Sequence, residues 1–166
     1  MTGSGFSRDG YIIDQGRMKS IPYGKFNSDW NGCGWIAVYN LMHALEFDVT
    51  PQQVHKLCAQ ALPLGGFIGT PVKTVVGVLE LFDIKVRLVR GKKRVSPVIG
   101  EFSHGILRFF DGKYDHYVAF TDAGSGMYRF FNSDTERETD IMTMDRFLRL
   151  RCKGFKLTLI GVVSHP

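Results

Sequence analysis

The 166-residue chain is poor in the features that staple small proteins or place them in membranes. It has only three cysteines, Cys33, Cys58 and Cys152, an odd number with no close pair. That excludes a disulfide framework. There is no Cys-x-x-Cys pair and no cluster of histidines, so a structural zinc is not expected. No apolar run approaches the roughly 18 residues that span a bilayer. The N-terminus lacks a basic stretch followed by an apolar one, so no secretory signal is expected and the chain reads as cytoplasmic. There is no internal repeat and no low-complexity segment.

What is present suits a globular domain. Hydrophobic residues make up 44% and charged residues 22% of the chain, and 13 phenylalanines supply aromatic packing. The net charge is +5. Its one dense run, Arg87, Arg90, Lys92, Lys93 and Arg94, reads as a solvated turn after a strand, so no nucleic-acid partner is expected.

The order of elements reads as helices first and strands second. Residues 1–10 are rich in Gly and Ser and are expected to be flexible; residues 11–166 form one domain. Residues 15–32 have the composition of a long loop. From Cys33 to Phe47 the chain is apolar nearly all round, the mark of a buried helix. Thr50-Pro51 and Thr70-Pro71 each open a further helix, with Thr as N-cap and Pro in the first turn. From Ile84 the period changes to two, the period of a strand. Residues 104–110 and 114–121 flank Asp111-Gly112 as a hairpin. Strands follow at 127–132 and 154–164, with a short helix at 143–150. This is an α+β fold with segregated layers.

Cys33 stands where the glycine-rich loop meets the buried helix, and a helix N-terminus favours a thiolate. Gly32 and Gly34 beside it allow close approach. Cys58 lies on a core stripe, and Cys152 has no helix start behind it. A nucleophilic cysteine needs a base. His43 is on the same helix, about 15 Å away by helical rise. His55 suits a solvent-facing helix position, and His165 is terminal. His104 and His116 remain, each at the start of a strand. Asn132, at the end of the strand after His116, offers that histidine an orienting partner, with Asp134 as its competitor on the same strand face.

These residues carry a resemblance. The segment Asn31-Gly32-Cys33-Gly34-Trp35-Ile36-Ala37 resembles the nucleophile segment of papain-like cysteine peptidases, especially the C39 bacteriocin-processing type. His116-Tyr117-Val118-Ala119-Phe120 is similar to that family's catalytic histidine strand. The resemblance implies a papain-like cysteine proteinase fold, with N-terminal helices packed on a C-terminal antiparallel β-sheet. It implies a Cys33–His116–Asn132 triad, with Asn27, six residues before Cys33, at the oxyanion-hole position of the family's Gln. Asn27 is one methylene shorter than Gln, and the family's Asp-Pro is here Asn132-Ser133. The implied activity is hydrolysis of a peptide or isopeptide bond, with a peptide or protein as partner and no metal or organic cofactor. The two departures keep a second reading open, a catalytically silent peptide-binding module. Acyl transfer or deamidation by the same triad is a third.

Overall fold

The computed structural model describes residues 5–133 and 140–166. Its centre is a six-stranded, wholly antiparallel sheet in the order β3-β8-β4-β5-β6-β7. The strands are β3 (Lys85–Arg90), β4 (His104–Phe110), β5 (Asp115–Gly124), β6 (Met127–Phe131), β7 (Asp140–Met142) and β8 (Leu157–Ser164). A two-stranded hairpin, β1 (Pro22–Tyr23) with β2 (Phe26–Asn27), precedes them.

The helices are α1 (Ser28–Asn31), α2 (Cys33–Ala44), α3 (Pro51–Gln60), α4 (Val72–Glu80), α5 (Lys92–Val95) and α6 (Met144–Arg151). Every residue of α2 from Gly34 to Met42 is buried, as its all-round apolar sequence requires. It packs on β5 and β4, with α3 and α4 against it. Ile36, Leu41, Ile106, Ala119 and Ile160 share this core. Side chains alternate across the sheet, so Leu107, Val118, Phe120 and Leu159 point the other way. There they meet α6, where the Phe147 ring stacks on Phe130 at 3.8 Å.

Thr50 caps α3 with a reciprocal capping box, its hydroxyl accepting from the Gln53 amide at 3.2 Å while Gln53 accepts from the Thr50 N–H at 2.7 Å. The second Thr-Pro behaves differently. Pro71, not Thr70, is the N-cap of α4 and has no side-chain acceptor with which to cap it, while the Thr70 hydroxyl meets Tyr23 Oη at 3.0 Å. The 15–32 segment is more structured than its composition suggests: a 3₁₀ turn (Gln15–Arg17), the β1–β2 hairpin and α1 occupy most of it. Residues 5–10, within the stretch expected to be flexible, are bonded to the rest of the domain; residues 1–4 lie outside the described residues. The Gly5 carbonyl accepts from Ile13 N–H, the Gly10 carbonyl accepts from Tyr39 Oη at 3.0 Å, and Asp9 pairs with Arg129. Inside the core, Asn40 of α2 clasps Ile12 through both main-chain groups, each at 2.8 Å. The N-terminal arm is thereby fastened along α2 and β6.

Candidate active site

Cys33 is the first residue of α2, half-buried, and α1 leads straight into it through Gly32. Close packing explains the glycines on either side. A Cβ on Gly34 would lie 2.5 Å from Thr70 Cβ, and one on Gly32 would lie 2.5 Å from the Ser28 carbonyl. Trp35, almost fully buried, anchors the turn by donating from Nε1 to Ser28 Oγ at 3.1 Å. Thr70 in turn accepts from Tyr117 Oη on its carbonyl at 2.8 Å, which ties the α2 side of the site to β5.

His116 lies on β5, cross-strand from Phe109, whose ring meets the imidazole edge-on. Its Nε2 donates to the main-chain carbonyl of Asn132 at 2.8 Å. With Nε2 so engaged, Nδ1 is the nitrogen left for the sulfur. Packing around the imidazole disfavours the charged form. The neighbouring Cys33 side chain and the Asn132 carbonyl together outweigh that penalty and hold the His116 pKa above its ordinary 6.5. The other histidines stand elsewhere. His104 is at the far end of β4, paired with Thr121, and burial pulls its pKa down. His43 and His55 bond the carbonyls of Asp9 and Pro22, each at 2.8 Å. Cys58 is fully buried, which pushes its thiol up to about 12, and burial raises Cys152 as well.

Asn132 meets His116, but not through its side chain. The residue follows β6 in a left-handed conformation (φ 61°), which Asn tolerates better than most residues and which presents its carbonyl to the imidazole. Its side-chain amide faces Gln15 instead. Asn132 Oδ1 accepts from the Gln15 main-chain N–H at 3.0 Å, and Nδ2 donates to Gln15 Oε1 at 3.2 Å. Asp134, the competing orienter, lies outside the described residues. Asn27, the residue expected at the oxyanion position, pairs with Pro22 in the β1–β2 hairpin. Its side chain is exposed and lies outside the lining of the cleft described next.

Cys33 and His116 open on a cleft of about 390 Å³. Gln15 lines it too, its Nε2 donating to the Asp29 carbonyl at 3.1 Å. Sequence reasoning missed Gln15: it lies 18 residues before Cys33, in a segment with no periodic signal. The cleft rim is apolar and exposed. Trp30, 61% exposed, meets Tyr114 edge-on at 5.1 Å, with Phe67 and Ile68 also along it.

No family model and no curated protein sequence matches the chain. Among solved structures it is similar to the peptidase domain of Streptococcus ComA, a bifunctional ABC transporter involved in a quorum-sensing pathway. The superposition has a TM-score of 0.54 at 13% identity and covers 80% of this chain and 93% of that domain. The chain has the fold of a C39-type peptidase domain. The α+β papain-like architecture expected from the Cys33 and His116 segments is the observed one, with α6 added on the second face of the sheet. No helix among the described residues is long and apolar enough to cross a membrane.

Proposed function

We propose that the chain is a cysteine peptidase or amidase in which Cys33 is the nucleophile and His116 the general base. One observation carries the reading: a half-buried cysteine at the N-terminus of a buried helix lines the same cleft as a histidine whose Nε2 is tied to a carbonyl. Fold likeness to a peptidase domain supports it.

In this reading the Nε2 bond to Asn132 fixes the imidazole ring and its tautomer. His116 takes the thiol proton through Nδ1, giving a thiolate–imidazolium pair. The sulfur attacks the substrate carbonyl carbon, and the oxyanion forms beside the main-chain N–H of Cys33, where the helix dipole favours negative charge. The imidazolium then protonates the leaving amine as the C–N bond breaks, leaving a thioester on Cys33. Water, deprotonated by His116, attacks the thioester and releases the acid and the free thiol. Asn132 acts as the third member through its carbonyl. A neutral acceptor stabilises imidazolium less than a carboxylate does, so the base is oriented more than it is electrostatically strengthened. The chemistry asks for no metal or organic cofactor.

A peptide-binding module without turnover is the second reading, and Asn27 outside the cleft favours it, since the Gln-like oxyanion donor is missing at that position. The experiment is a panel of peptide and isopeptide substrates assayed with wild type beside Cys33→Ser. Cleavage by wild type alone supports hydrolysis. Peptide binding by both proteins with cleavage by neither supports the silent module. Transfer of the acyl group to added free amines in place of water would mark an acyltransferase.

A further inference from the structure

A row of side chains leads out of the cleft along one face of the sheet. By register, Tyr117 of β5 lies opposite Arg108 of β4, Arg108 opposite Thr158 of β8, and Thr158 opposite Arg90 of β3. Directly paired residues share a face, so all four point to the side that carries α2. Tyr117 and Arg108 line the catalytic cleft. Arg108, Thr158 and Arg90 line a second concavity of about 420 Å³, walled by Lys156 and by Phe155, which is 90% exposed. The two depressions share Arg108 and Asp115, whose ion pair at 2.8 Å forms the ridge between them.

Their charges are opposite. The catalytic cleft is lined by Asp29, Asp111 and Asp115 against Arg108. In the second depression Asp115 is already matched by Arg108. Arg90 and Lys156 are both exposed, and neither takes part in an ion pair among the described residues. Arg108 Nε is buried and has no hydrogen-bond acceptor.

We infer that this depression is a distal substrate subsite that binds an acidic side chain of the polypeptide being cleaved, with Phe155 packing on the residue beside it. The inference rests on the peptidase reading of Cys33 and His116. Three strand spacings separate Tyr117 from Arg90, about 14 Å, and an extended peptide advances about 3.3 Å per residue. The acidic residue therefore lies about four residues along an extended chain from the residue seated over Tyr117.

The test selects a phage-displayed random decapeptide library on immobilised Cys33→Ala protein, and separately exposes the same library to the active enzyme. Selected peptides are expected to be enriched about fivefold or more in Asp and Glu at one position. Arg90→Glu/Lys156→Glu, made in the same background, reverses the enrichment to Lys and Arg, and the Gln pair abolishes it. Arg146→Glu/Arg149→Glu, an equal charge change on exposed residues of α6, leaves it intact. Circular dichroism verifies the fold of each variant. Absence of acidic enrichment overturns the subsite, and so does enrichment that survives reversal at Arg90 and Lys156 or that is lost equally in the α6 control. Cleavage by the active enzyme with no acidic preference overturns the subsite and leaves the peptidase reading standing. Acidic selection that reverses as expected, with no library member cleaved, supports the subsite and overturns the peptidase reading.

Discussion

Gln15 and Asn132, 117 residues apart in the chain, hold each other by two hydrogen bonds, and the carbonyl of the second is the acceptor for His116. The carbonyl that accepts from His116 is therefore set by the N-terminal arm as much as by the strand that bears Asn132. One of the two bonds uses the Gln15 main chain, so only the other depends on its side chain. Gln15→Ala is expected to slow Cys33 alkylation at pH 7 about ten- to a hundredfold, the scale of a misplaced catalytic group. Gln15→Glu keeps an acceptor for Asn132 Nδ2 and retains most of the rate. Equal losses in the two variants would mean that the donor Nε2, not the clasp, is what matters.

Replacing Asn132 separates carbonyl from side chain. Asn132→Gly preserves the left-handed backbone and hence the carbonyl at His116. Asn132→Ala adds about 1–2 kcal/mol of backbone strain at φ 61°. The glycine variant should keep more Cys33 reactivity than the alanine variant. If the two fall equally and steeply, the side-chain clasp to Gln15, and not the left-handed backbone, is what sets the carbonyl.

Acid should loosen the arm. The Arg129 guanidinium beside Asp9 holds that carboxyl well below its ordinary 3.8, against some opposition from burial. A carboxyl depressed on folding stabilises fully above its unfolded pKa, and the contribution fades as pH falls below about 4. Thermal melts of wild type and Asp9→Asn should differ at pH 6 and converge as pH drops below 4. A gap that persists unchanged at pH 2.5 would place the role of Asp9 in packing.

The helical half of the fold was legible because its signals are local. The capping box at Thr50 and the all-apolar run of α2 each act within a few residues. Strand positions were legible from the period-two stretch after Ile84 and the Asp111-Gly112 turn, whose loop the Asp111 carboxylate closes on the Lys113 and Tyr114 N–H groups. Cys33 stood out because a glycine-flanked helix start is also a local feature. What stayed hidden depends on distant partners. Nothing near Asn132 announces that its main chain faces His116, since that follows from a left-handed turn and from Gln15 on another segment. Thr70 has the look of a cap, yet Tyr23 and Tyr117, each 47 residues away, claim it. The insertion of β8 between β3 and β4, which creates the basic row, is likewise a property of the sheet and not of any one strand.

Gly34 should be intolerant of the smallest side chain. A Cβ there lies within 2.5–2.8 Å of Thr70 Cβ, Oγ1 and Cγ2, so helix or loop must move. Gly34→Ala is expected to lower stability by about 1–3 kcal/mol, the range for overpacking a core. Chemical denaturation measures it, and Gly34→Ala with Thr70→Gly should recover part of the loss. A neutral Gly34→Ala would show that the Thr70 loop is free to yield.

The pairing of Cys33 with His116 is tested most directly by limiting iodoacetamide at pH 7, read out cysteine by cysteine with mass spectrometry. Burial keeps Cys58 and Cys152 protonated, so the label is expected on Cys33 almost alone. His116→Ala should remove that neutral-pH labelling, and His104→Ala, at the other end of β4, should leave it intact. A Cys33 that stays unlabelled in the native wild type, or that labels equally well without His116, would contradict the account.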